Sequence, residues 1–76
     1  MADLPFNHDR RSYEVKVRRE GDVTIAEVFN VDGTSANCKV DATDEMLSDM
    51  KAEGHDDPLL LLQEQARDAF ISRTQP

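Results

Sequence analysis

The fold is decided by residues 12–40, SYEVKVRREGDVTIAEVFNVDGTSANCKV. Tyr13, Val15 and Val17 alternate with Glu14, Lys16 and Arg18, the period-2 signature of a strand with one buried face. Arg19-Glu20-Gly21 suits a three-residue hairpin loop with Gly21 in the left-handed position. That loop would set Val17 opposite Val23, Val15 opposite Ile25 and Tyr13 opposite Glu27. The second strand runs over about 22–30. Asp32-Gly33 then reads as a two-residue turn, which pairs Phe29 with Ala36, Glu27 with Cys38 and Ile25 with Val40. A third strand, about 35–40, turns Ala36, Cys38 and Val40 inward. The opposite face would carry Glu14, Lys16, Arg18, Thr24, Ala26, Asn37 and Lys39.

Two helices follow. Thr43 is placed to cap the first, with Asp44 and Glu45 at its positive end. Met46, Leu47 and Met50 mark its buried side, and Gly54 ends it. Asp57-Pro58 opens the second, with Asp57 as cap and Pro58 at the first position. Leu59, Leu62, Ala66, Ala69 and Phe70 form its apolar stripe. Residues 1–11 show no period and contain Pro5, so they read as a loose arm, from which Phe6 could fold back onto the core. Thr74-Gln75-Pro76 reads as a frayed end. The expectation is one α+β domain over 1–76: a three-stranded antiparallel meander with two helices on one face, β-β-β-α-α.

Composition narrows the function. A chain of 76 residues hides only about 60% of its unfolded surface, so a large active-site cavity is not expected. The formal net charge is -7, from 9 basic and 16 acidic residues. Residues 1–19 carry +2 and residues 20–76 carry -9. Such a balance disfavours direct contact with nucleic acid or an anionic membrane, both of which need Lys and Arg. Cys38, the one cysteine, has no disulfide partner within the chain. With no apolar run near the ~20 residues of a membrane span and no signal-peptide pattern, a cytoplasmic protein is expected.

Few residues suggest chemistry. Glu27 falls on the apolar face under the registers above, either as a pocket carboxylate or as a rim residue turned outward. Cys38 would need a nearby base to act as a nucleophile, and His8 and His55 lie in irregular segments. His55-Asp56-Asp57 lacks a second histidine at metal-ligand spacing. No cofactor is expected, and the chain reads as a non-enzyme.

Two surface features carry more. Leu59-Leu60-Leu61-Leu62 covers every side of a helical turn, so one leucine must find a neighbour or remain exposed for a partner. The stretch Asp41, Asp44, Glu45, Asp49, Glu53, Asp56, Asp57 gathers seven acids, and Glu45, Asp49 and Glu53 share one helix face. It is either a solvated face or a surface that recognises a basic groove through complementary charge.

Several stretches resemble the small phage-encoded anti-CRISPR proteins of type I-F. They are Glu20-Gly21, Ala26-Glu27-Val28-Phe29-Asn30-Val31, Gly33, Val40-Asp41-Ala42-Thr43-Asp44-Glu45 and the terminal Ile71-Ser72-Arg73-Thr74-Gln75-Pro76. The resemblance covers about residues 13–76. It implies a protein that docks on basic subunits of a CRISPR surveillance complex and stops DNA from pairing with the guide. Arg18 stands where the family places an interface aromatic, and Phe29 stands near an acidic contact, so those binding residues do not transfer. The spacing of Gly33, Cys38 and Val40 is also similar to the bacterial DUF1488 family of unknown function.

The leading expectation is therefore a non-enzymatic, protein-binding inhibitor in the host cytoplasm. Asp44, Glu45, Asp49 and Glu53 would form its charged rim, with Tyr13, Phe29 or Leu60 as anchor. The alternative is a small bacterial adaptor or homodimer associating through the leucine-rich helix.

Overall fold

A computed structural model describes residues 3–74. Four strands form one antiparallel sheet in the order β1-β2-β3-β4, with β1 Leu4–His8, β2 Arg11–Glu20, β3 Val23–Asn30 and β4 Ser35–Thr43. Helices α1 (Asp44–Ala52) and α2 (Pro58–Thr74) follow. The α+β meander is as expected, but it has four strands. Gln75 and Pro76, expected to fray, lie outside the described residues, and Thr74 closes α2.

The additional strand is the segment read as a loose arm. Leu4 and Phe6 pack against the core, and Phe6 stacks on Tyr13 with ring centroids 5.4 Å apart. Pro5 is tolerated because β1 is an edge strand, where a missing N–H need not interrupt a ladder. The β1–β2 loop is Asp9-Arg10, and both residues have positive φ, 52° and 65°. A two-residue hairpin loop demands that backbone, and Asp-Arg lacks the glycine that would announce it.

Both later registers differ from the sequence reading. The β2–β3 loop is Gly21-Asp22, so β2 extends to Glu20 and Tyr13 pairs with Asn30, Val15 with Val28 and Val17 with Ala26. The β3–β4 loop has three residues, Val31 to Gly33. The Gly33 N–H donates to the Asn30 carbonyl, and the Asn30 N–H donates to the Thr34 carbonyl at 2.8 Å. Gly33 alone in this loop takes positive φ, at 91°. The Asp32 carboxylate accepts from the Thr34 N–H and hydroxyl, which holds the turn. Each shift is an odd number of residues, and an odd shift exchanges the faces of a strand. Thr24, Ala26 and Val28 therefore face the helices, whereas Ile25, Glu27 and Phe29 face outward. Ala36, Cys38 and Val40 keep their inward position.

The core lies between sheet and α2. Tyr13, Val15, Ala26, Val28, Cys38 and Ala42 meet Leu62, Ala66 and Phe70. Phe70 closes an aromatic cluster, with its centroid 4.7 Å from Tyr13 and 6.0 Å from Phe6. Gln63, buried in the seam, donates to the Val15 carbonyl at 3.0 Å. Ala69, assigned to the stripe, is exposed. α1 buries no residue fully: Leu47 and Met50 are half-buried, and Met46 points to solvent.

Capping follows the sequence. Thr43 Oγ1 accepts from the Met46 N–H, and Asp57 Oδ1 accepts from the Leu60 N–H. Gly54 ends α1 with φ 102°. Its N–H reaches the Lys51 carbonyl and the His55 N–H reaches the Met50 carbonyl, the paired bonds of a Schellman motif.

Arg10 carries a side chain in the left-handed region, which costs roughly 1–2 kcal/mol for residues other than glycine. Arg10→Gly should stabilise the protein by about 1 kcal/mol in urea unfolding, after the greater freedom of glycine in the unfolded chain is subtracted.

Candidate protein-binding surface

The acidic face is built by a short helix that the core holds along one side only. Thr43 caps α1 as β4 ends, and the Asp44 N–H donates to the Asp22 carbonyl, so the helix starts beside the β2–β3 turn. Asp44 then meets Arg19 at 2.6 Å. That guanidinium holds the Asp44 carboxyl below its ordinary pKa, and the carboxylate in turn raises Arg19. Glu45, Asp49 and Glu53 are exposed and follow at four-residue intervals, about 6 Å of helix rise apart. Asp56 and Asp57 continue the acidic surface into the next turn, also exposed.

The candidate anchors are dispersed. Tyr13 is buried between Phe6 and Phe70, so its ring belongs to the core. Phe29 is half-buried on the outer face of the sheet, away from the helices, under Lys16, whose Nζ lies 5.6 Å from the ring centroid. Leu60 is 40% exposed in the first turn of α2. The leucine run divides as a helical turn requires: Leu62 is buried, Leu59 and Leu61 are half-buried, and Leu60 faces out. The structure thus groups the carboxylates of α1 and separates Tyr13 and Phe29 from them.

Sequence reading missed a cleft of about 500 Å³ between α1, the start of α2 and the β2–β3 hairpin. Val17 and Thr24 floor it, Leu47 and Ser48 of α1 form one wall, Pro58 and Leu59 of α2 form the other, and Arg18, Arg19, Lys51 and Asp57 bring charge to its edge. It lies where α1 and the start of α2 flank the β2–β3 hairpin. The Asp57-Pro58 start of α2 was the one visible signal, since it fixes where the second wall begins.

Glu27, the oddity of the sequence, faces outward and is satisfied. Arg18 donates to Oε1 and the Ser35 hydroxyl donates to Oε2. Lys16 and Lys39 flank it in register across the neighbouring strands. The Ser35 and Arg18 hydrogen bonds hold the Glu27 carboxyl below its usual range. Cys38 is buried, and its Sγ lies 3.7 Å from the Ala66 carbonyl, the geometry of a small core residue. Asp57 is engaged as the α2 cap, and among the described residues no group of three or more His, Cys, Asp or Glu side chains could hold a metal.

No family model matches the chain, and neither a curated protein nor a solved structure matches it. No helix of the described residues is long and apolar enough to cross a membrane.

Because Glu27 has a lowered pKa when folded, its contribution to stability is full above the unfolded carboxylate pKa. It is lost as pH falls through the folded value. Glu27→Gln should therefore cost about 1–2 kcal/mol near pH 7. Urea titrations should show the gap to wild type closing as the pH drops into the carboxylate range; a gap independent of pH would show that the charge is not what stabilises.

Proposed function

We propose that the protein is a non-catalytic inhibitor that binds a basic protein surface, anti-CRISPR-like in its mode of action. The observation that carries this reading is α1. It is a nine-residue helix with no fully buried side chain, and its exposed surface presents Glu45 and Asp49 in a row with Glu53 at its C-cap. Glu45 suits the positive end of the helix, but like charges four residues apart weaken a helix slightly, so folding does not account for Asp49 and Glu53. Their effect on a partner is larger: a compact field of one sign raises the rate of encounter with a groove of the opposite sign and selects against other surfaces. A basic groove of that kind is what a nucleic-acid-handling complex offers.

The adjoining cleft supports the same reading. Charge steers and orients, while affinity comes mainly from apolar groups that leave water at the centre of an interface. A cleft floored by Val17 and walled by Leu47 and Leu59 would receive one apolar side chain of the partner, while Arg18, Arg19 and Lys51 at its edge leave the charge recognition to the carboxylates on the other side of α1.

The test uses a purified, guide-loaded type I-F surveillance complex. The expected outcome is co-migration on gel filtration and loss of the target-DNA shift. A triple variant, Glu45→Lys, Asp49→Lys and Glu53→Lys, should weaken binding about tenfold or more while circular dichroism shows an unchanged fold. Asp44 is left intact, because its reversal would also break the pair with Arg19. Absence of co-migration, or equal binding by the triple variant, would overturn the reading.

A further inference from the structure

β4 ends the sheet, and its sequence is complementary to itself. The strand has nine residues, long for an unguarded edge, and an edge strand is a template for pairing with another chain. Its first part is already modified. The register breaks opposite Val28 and Phe29, Asn37 takes φ 58°, and the Asn37 N–H donates to the Ser35 hydroxyl. Arg73, from the last turn of α2, donates to the Ala36 and Asn37 carbonyls, the former at 2.8 Å. These features confine regular strand to residues 38–43, Cys-Lys-Val-Asp-Ala-Thr.

We propose that β4 is a homodimer interface, pairing antiparallel with β4 of a second copy about an axis at Val40. In that register Val40 faces its own counterpart. Lys39 faces Asp41 of the second copy, and Asp41 faces Lys39. Cys38 faces Ala42. Every pair respects the faces of the sheet, because residues directly opposite in an antiparallel ladder point the same way. Odd residues meet on the outer face, where Lys39 and Asp41 are both exposed, and even residues meet on the side of the helices.

Charge selects this register over its neighbours. A shift of two residues one way sets Asp41 against Asp41, and two the other way sets Lys39 against Lys39. Like charges directly opposite destabilise a ladder, and opposite charges stabilise it. A shift of one residue sends the apolar set of one copy to the solvent face of the other. The contact is isologous and closes on itself, so it yields a two-fold dimer with one continuous eight-stranded sheet rather than a fibre. Arg73 helps to limit it: by holding the bulge at Ala36 and Asn37 it stops the pairing from extending along the whole edge. This interface uses neither the leucine run nor the α1 carboxylates, and it stands independently of the inhibitor reading.

Sedimentation equilibrium of the full chain tests it. Wild type should show a dimer fraction that rises with concentration, with concentration-dependent protection of β4 amides in hydrogen exchange. Asp41→Lys, at an exposed position, should sediment as a monomer because Lys39 then faces Lys. The double variant Lys39→Asp and Asp41→Lys should recover the dimer, because each pair is again opposite in sign. A monomeric wild type, a dimer unaffected by Asp41→Lys, or a folded double variant that stays monomeric would overturn the proposal. So would a dimer broken by Leu60→Asp instead.

Discussion

The structure depends on the close approach of α2 to the sheet. Ala66, with no exposed surface, sits where a larger side chain would hold the helix away, and Cys38 lies against its carbonyl. That approach brings Leu62 and Phe70 into the sheet and lets Gln63 reach the Val15 carbonyl. In a domain this small there is no second layer to compensate, so one helix serves as the main lid of the core, with Leu47 of α1 at its edge. Phe70 extends the seam to β1: without its ring beside Phe6 and Tyr13, the first strand would have little reason to join the sheet.

The helices were legible from local chemistry. Thr43, Gly54, Asp57 and Pro58 act within one turn of their own position, and each does what its side chain or backbone dictates. The meander was legible as a pattern, and β4 turned the expected residues inward. The strand partners were not, because register is set by loop length, and Gly21 and Gly33 each fit loops of two sizes. A three-residue register error across the β2–β3 loop then put Ile25, Glu27 and Phe29 on the wrong face. β1 was hidden by Pro5 and by an Asp-Arg turn, both unfavourable to a hairpin in isolation. Its formation is a tertiary effect, through Phe6. At the candidate surface, the acidic row was visible because helical spacing is local. The cleft was not visible, because its walls come from elements far apart in the chain.

The outer face of the sheet balances charge by position. Lys16, Glu27 and Lys39 lie across three strands in one row, and Arg18 crosses from β2 to reach Glu27. Ile25, in register between Arg18 and Asp41, is buried on this face although no helix covers it. A strongly acidic protein thus keeps a mixed-sign sheet and exports most of its excess negative charge to α1 and the turn after it.

The weak attachment of α1 has a dynamic consequence. A helix fixed by half-buried Leu47 and Met50, a cap, one backbone hydrogen bond to Asp22 and one solvent-exposed ion pair has little to lose on detaching. The cooperative unit that must unfold globally is the sheet with α2. α1 can therefore open as a separate unit, at a free energy well below that of the whole domain. Its carboxylates are carried on a segment able to adjust its angle to what it meets, while the scaffold beneath stays fixed.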